Sequence, residues 1–323
     1  MREGKDLRIV FMGTPDFAVA SLKKLVDNGY NVVGVITAPD RPAGRGKQLA
    51  ESAVKKYAVA NNLKVRQPEK LKNPQFLEEL KTLNADLQVV VAFRMLPEVV
   101  WAMPRLGTFN LHGSLLPQYR GAAPLNWAII NGETKTGVTT FLLDHEIDTG
   151  KILFKKEIDI WENDTVGTVH DSLMDIGAGL VLDTVDALAR GDYKAIPQEE
   201  LTADTEIKHA PKIFKDDCKI DWTKDVETVR NLIRGLSPYP AAWSTLVNKH
   251  TGQQTSAKVF FAAHADGKTT TPGNIESDGK NYLKVACADG WLQITDIQIA
   301  GKKRMKTNDF LRGFQQINDF RFE

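Results

Sequence analysis

Residues Leu7–Met12, apolar apart from Arg8, form a run that ends in Gly13-Thr14-Pro15-Asp16. A run without alternation is what a strand buried on both faces requires. Phe17, Ala20, Leu22, Leu25 and Val26 then recur at helical spacing, and Asn31–Thr37 returns to β composition. Strand, helix and strand in that order make a βαβ unit, which commits this half of the chain to a parallel sheet with a right-handed crossover. Glu51–Asn62 and Asn73–Thr82 read as helices, and Asp86–Phe93 as a central strand. The first turn has Gly13 but no GxGxxG, so a dinucleotide site finds little support.

At 323 residues the chain is long for one domain, so two are expected. Its 42% apolar and 26% charged composition is that of a soluble globular protein. A net charge of +1 gives no blanket affinity for polyanions, so any nucleic-acid site must be a local patch. Cys218 and Cys287 make no CxxC pair and no disulfide framework, and no metal-ligand spacing occurs, so no metal is expected. No signal-peptide core and no membrane-length apolar run appear, and a cytoplasmic location is expected.

Gly107–Gly121, GTFNLHGSLLPQYRG, carries the first chemistry. Residues i and i+2 of a strand share a face, so Thr108–His112 would project the Asn110 amide and the His112 imidazole side by side at the carboxyl end of a strand. Open α/β sheets keep their ligands at that end. The second stretch, Leu143–Gly150, follows an alternating run and holds His145, Glu146 and Asp148 before a Thr-Gly turn. An imidazole can accept a proton near neutral pH, a carboxylate can orient it, and an uncharged amide can donate to an oxyanion. The three together suit acyl-type transfer. Asn and His at a strand end also serve as plain loop hydrogen-bonders, and spacing does not show that the carboxylate meets the imidazole.

Beyond Gly121, Ala122–Asn131 reads as a helix, Gly137–Leu143 and Lys151–Ile160 as paired strands, and Asp164–Gly191 as a long helix capped by Asp164 or Thr165. Ile196–Lys215 is rich in polar residues and proline and reads as a linker. After a helix at about Val226–Leu236, short β candidates follow at Ala242–Val247, Ala257–Ala262, Gly273–Glu276, Tyr282–Ala286 and Trp291–Ala300. Five such strands suit a small OB-like barrel. Charge is uneven: the part from His209 onward is +4 and the part before it −3.

NLHGSLLPQYRGAAP followed by DHEIDTG resembles the folate-dependent formyltransferases, whose signature is an Asn-x-His pair, an SLLP-x-x-RG-x-x-P loop and a downstream D-x-x-x-D-T-G. FMGTPDFA and the loop TAPDRPAGRGK are similar to the branch that formylates methionyl-tRNA, and the motifs fall in the family's order along nearly the whole chain. The resemblance implies a Rossmann-like, mostly parallel α/β catalytic domain at residues 1–195, a linker at 196–215 and an OB-like tRNA-binding domain at 216–323. It implies Asn110, His112 and Asp148 as the catalytic trio, with Asp148 rather than Glu146 as the carboxylate because only Asp148 lies in D-T-G. Arg94, Met95 and Leu96, through backbone groups, with Ser114, Leu115, Leu116 and Pro117, would hold the folate. Many relatives of that branch carry a Tyr-Gly pair in this loop, where Phe93-Arg94-Met95 is closer to the purine-pathway relatives, and Glu146 stands where the family more often has Gly. Arg41, Arg45 and Lys47, on a loop whose Gly and Pro content precludes a regular element, and the cluster Lys302, Lys303, Arg304 and Lys306 would contact tRNA.

The donor so implied is 10-formyltetrahydrofolate and the acceptor methionyl-initiator tRNA, with the protein a monomer. A sugar-nucleotide N-formyltransferase would share the trio but not the RPAGRGK loop. A purine-pathway glycinamide formyltransferase would normally stop near residue 210. An RNA-binding module on an inactive Rossmann-like domain would have no use for an intact Asn110, His112 and Asp148.

Overall fold

The computed structural model describes residues 3–43, 48–202, 206–268, 270–314 and 316–323. The chain divides into two compact units interleaved along the sequence. One comprises Met1–Gly121, Gly137–Ile158 and His170–His209, the other Ala122–Thr136, Asp159–Val169 and Ala210–Glu323. Two excursions from the first half thus group with the C-terminal portion, where a single boundary near residue 195 was expected.

The first unit is built on a seven-stranded sheet. Its strands are β1 (Ile9–Gly13), β2 (Val32–Ile36), β3 (Val65–Arg66), β4 (Leu87–Val91), β5 (Thr108–His112), β6 (Lys135–Leu142) and β7 (Ile152–Asp159), in the order β7-β6-β5-β4-β1-β2-β3. The first five are mutually parallel, as the expected Rossmann-like fold requires. Every residue of β1 and β4 is buried, which is why neither alternates apolar with polar, Gln88 being the one polar side chain in β4. The helix α1 (Asp16–Asp27) buries Phe17, Ala18, Leu22 and Leu25 in the β1–β2 crossover. A Cβ at Gly13 would stand 2.6 Å from the Ala18 Cβ and 2.9 Å from the Val91 carbonyl, so only glycine lets α1 start this close to the sheet. Beyond β5 the sheet reverses: β6 runs antiparallel, with Asn110 opposite Phe141 and His112 opposite Thr139.

Two segments differ from their sequence reading. The basic loop is not irregular throughout, because Arg41–Ala43 and Gln48–Ala50 pair as an antiparallel ribbon. Pro42 is tolerated since a two-stranded ribbon is all edge and leaves room for a residue without an N–H. The ribbon's base is fastened by ion pairs of Lys55 with Asp40 and, at 2.8 Å, with Glu51. The expected linker is also ordered at its start. Ile196 exchanges both backbone hydrogen bonds with Ile152, at 2.8 and 2.9 Å, and Gln198–Leu201 forms a 3-10 turn.

In the second unit, α2 (Pro124–Ile130) packs on α4 (Val226–Gly235), and the Asn126 amide donates to the Gly235 carbonyl at 2.8 Å. Buried Arg230 and Arg234 of α4 donate to the carbonyls of Glu162 and Asp164, at 2.7 and 3.2 Å. Those carbonyls lie just before α3 (Val166–Arg190), whose first turn is capped by the Thr165 hydroxyl as expected. These bonds explain why both excursions join this unit. The rest is a sheet of β8 (Ala242–Asn248), β9 (Gln254–Ala265), β10 (Ile275–Ser277), β11 (Leu283–Ala286), β12 (Trp291–Ile299) and β13 (Phe320–Phe322), ordered β10-β11-β12-β9-β8-β13, with a short strand at Met305–Lys306 pairing on β12.

The five expected strands are present, and β13, which the sequence did not announce, closes the barrel. Asn274 bridges Arg321, and Phe322 N–H donates to the Gly273 carbonyl at 2.9 Å. Gly273 has φ +85°, and a Cβ there would lie 2.2 Å from the Phe322 carbonyl oxygen, so the closure needs glycine. Trp222, Leu246, Val259, Ile294, Phe310 and Phe322 fill the interior. Among the described residues, no helix is long and apolar enough to cross a membrane.

Candidate active site

The end of β5 sets the chemistry. His112 is enclosed, and its Nε2 lies 2.9 Å from the Tyr119 carbonyl oxygen. A carbonyl can only accept, so Nε2 carries the hydrogen and the basic lone pair of the neutral ring sits on Nδ1. Nδ1 faces Asp148 Oδ2 at 3.8 Å, and the two side chains are only 7% and 12% exposed. That separation exceeds a hydrogen bond. The same oxygen accepts from the Gly121 N–H at 3.0 Å, which aims the carboxylate at the ring. Two positions back along the strand, Asn110 Oδ1 is buried and has no hydrogen-bond partner among the described residues.

The carboxylate arrives from an unexpected direction. The turn that carries it leaves β6 at Leu142, which pairs with Phe109, three residues before His112 on β5. It therefore doubles back along the strand to bring Asp148 to the imidazole, and Asp148 takes φ +56°, in the left-handed region. The structure thus brings the Asp148 carboxylate to the imidazole, a meeting that sequence spacing alone did not show.

Around this trio the other expected residues take distinct places. Val91 and Leu111 are register partners, so the Phe93–Leu96 loop leaves β4 at the sheet end where β5 presents His112. Met95 is 66% exposed and Leu96 is buried. The Arg94 guanidinium turns away and braces the neighbouring segment, donating to the carbonyls of Pro68 and Glu69. Burial, helped by the positive charge of Arg41, lowers its pKa from the ordinary arginine value. Ser114, Leu116 and Pro117 are inside the fold, with the Ser114 hydroxyl on the Gln118 carbonyl at 2.7 Å and the Leu116 N–H on the Thr139 hydroxyl at 3.1 Å. Leu115 is half-buried. Glu146 is exposed, and His145 meets Trp101 edge-on with its Nδ1 3.7 Å from Glu98.

Of the expected nucleic-acid contacts, Arg41 is exposed on the ribbon, while Arg45 and Lys47 lie outside the described residues. Lys302 and Lys303 are exposed beyond β12. Arg304 and Lys306 are already engaged with buried Asp296, at 3.1 and 2.6 Å, and Arg304 also lies 4.4 Å over the Phe260 ring.

One residue at the site escaped sequence reasoning. Gln198, fully buried, donates through Nε2 to the carbonyls of Asp148 and Gly150 and accepts from Arg120 through Oε1. It stands in a polar stretch that read as linker, and no periodicity marks it.

Comparison with known proteins adds what geometry cannot. Residues 7–185 match the family model described as Formyl transferase, and residues 212–315 match the one described as Formyl transferase, C-terminal domain. A Parabacteroides distasonis protein described as Methionyl-tRNA formyltransferase is 60% identical over 319 residues, covering 98% of each chain. Two solved structures share the fold. A sugar 3N-formyl transferase, WlaRD, has TM-score 0.63 at 21% identity, over 92% of this chain and 99% of that one. HypX from Aquifex aeolicus in complex with tetrahydrofolic acid has TM-score 0.62 at 19% identity, over 95% of this chain; the chain spans about half of that longer protein, 47%.

Proposed function

The chain belongs to the formyl transferase family, and from that premise we propose how it works: it takes a formyl group from 10-formyltetrahydrofolate and passes it through Asn110, His112 and Asp148 to its acceptor. It is an enzyme, and the acceptor is the α-amine of methionyl-initiator tRNA. The observation that carries this reading is identity of 60% along essentially the full length of a protein with that described activity.

The chemistry follows from the groups present. The neutral amine attacks the formyl carbon, a new C–N bond forms, and the carbonyl oxygen becomes an oxyanion. Asn110 donates to that oxyanion through its Nδ2–H, the amide's only donor group. His112 Nδ1 takes the proton released by the attacking nitrogen, and Asp148 at 3.8 Å stabilises the imidazolium so formed. His112 then returns the proton to the folate nitrogen as its bond to the formyl carbon breaks.

The folate lies against the backbone of Arg94, Met95 and Leu96, with Ser114–Pro117 holding that wall from inside the fold. The exposed side chain of Met95 offers an apolar contact for the pterin's flat ring. Arg41 with Arg45 and Lys47, and Lys302 and Lys303 on the C-terminal unit, bind phosphates of the tRNA; Arg304 and Lys306 contribute what charge Asp296 leaves them. The enzyme acts as a cytoplasmic monomer, with catalysis in the N-terminal unit. Incubation with 10-formyltetrahydrofolate and either methionyl-tRNA or an amino sugar nucleotide tests the reading. Formylation of the tRNA is expected, and formylation of the sugar nucleotide alone would overturn it.

A further inference from the structure

Gln198 is a fully buried polar side chain held at both ends of its amide, one of them on the Asp148 backbone. Its Nε2 donates to the carbonyls of Asp148 and Gly150, each at 2.8 Å. Its Oε1 accepts from Arg120 Nε at 3.0 Å and from Arg120 Nη2 at 2.7 Å. The two ends of the amide cannot trade places, because carbonyls only accept and a guanidinium only donates. The side chain has no solvent exposure, and its backbone is fixed two residues earlier by the Ile196–Ile152 bridge. One orientation is therefore enforced from both sides.

What it holds is the strained part of the site. The turn doubles back from β6, Asp148 is left-handed, and on the side-chain side the Gly121 N–H holds its carboxylate. On the backbone side, Gln198 grips the carbonyls of Asp148 and Gly150 and ties them to Arg120, next in sequence to Gly121. Without those two donors, the buried Gly150 carbonyl and the part-buried Asp148 carbonyl lose partners and the turn is free to relax toward the end of β6 from which it came. A misplacement of about 1 Å is enough to cost roughly 100-fold in rate.

We propose that Gln198 is a positioning residue for formyl transfer, holding the Asp148 backbone in the folded-back conformation that keeps its carboxylate against His112. This rests on the reading of Asp148 as the working carboxylate. The test uses the full-length enzyme with 10-formyltetrahydrofolate and methionyl-tRNA, and compares Gln198→Met, which keeps volume and loses both donors, with Gln198→Glu, which keeps the Arg120 contact and sets anionic oxygen against the two carbonyls. Each is expected to lower kcat about 100-fold while KM for tRNA moves by less than about threefold.

In an Asp148→Asn background, Gln198→Met should cost less than about threefold more, since the two act through one group. A merely structural role predicts the full loss again in that background, and that result would overturn the proposal. So would a kcat within about threefold of the parent in folded Gln198→Met or Gln198→Glu. Should Gln198→Met fail to fold, Gln198→Glu carries the same cycle. Near-normal activity of Asp148→Asn alone would instead remove the catalytic reading beneath it, a failure seen without touching Gln198.

Discussion

Replacing Asp148 by asparagine isolates the carboxylate's charge. Asparagine also tolerates the left-handed backbone and can still accept from the Gly121 N–H, so the turn is expected to survive. What disappears is the attraction between the carboxylate and the imidazolium formed when Nδ1 takes the amine's proton. Two unit charges 3.8 Å apart attract by about 4 kcal/mol at an effective dielectric of about 20, a value suited to side chains as enclosed as these. If that stabilisation is felt fully in the transition state, its loss lowers kcat by about 10³-fold. The assay is single-turnover formylation of methionyl-tRNA at saturating folate, with the melting temperature measured alongside. Combining Asp148→Asn with His112→Gln should cost no more than His112→Gln alone, because a carboxylate that serves only the charged ring has nothing left to stabilise. A folded Asp148→Asn enzyme less than about tenfold slower would refute the ion-pair mechanism.

Asn110→Ala removes the proposed oxyanion donor and is expected to raise the barrier by about 3 kcal/mol, read as a fall in kcat with KM little changed. A change confined to KM would move Asn110 out of the chemical step. Lys302→Ala with Lys303→Ala should weaken tRNA binding and flatten its dependence on log salt by about two, leaving kcat at saturation intact; an unchanged salt slope in filter binding would remove them from the interface. Burial alone would raise the Asp296 carboxyl, but hydrogen bonds from Lys306 and Arg304 and their charges hold it below its usual value. A depressed folded value means stability present above the ordinary carboxylate value of about 3.9 and lost as pH falls below it, so melting temperature should drop there and Asp296→Asn should flatten the slope. Burial pushes the Cys287 thiol up to about 12, with Asp289 and Asp225 adding to the rise. A disulfide reagent at pH 8 should label it only in denaturant, and rapid labelling of native enzyme would contradict its enclosure.

The division between what the chain announced and what it concealed follows the range of the interactions. Asn110 and His112 were legible because a strand's two-residue repeat is a local rule, and β1 and β4 were legible because burial on both faces leaves nothing to alternate. The D-T-G turn was legible as a motif, yet its path was not. Its start opposite Phe109 is set by the antiparallel register of β5 and β6, and register is a property of two strands together. Gln198 was concealed for the same reason: its four side-chain hydrogen bonds reach residues 48, 50 and 78 positions away in the chain. The closing strand β13 and the excursions gripped by Arg230 and Arg234 are likewise defined by distant backbone carbonyls and N–H groups, which composition does not record. The polar residues that read as solvated linker or ordinary surface charge are the ones to re-examine in such a chain. A buried amide or guanidinium with backbone partners organises a turn as firmly as an apolar side chain organises a core, but it leaves no hydrophobic trace in the sequence.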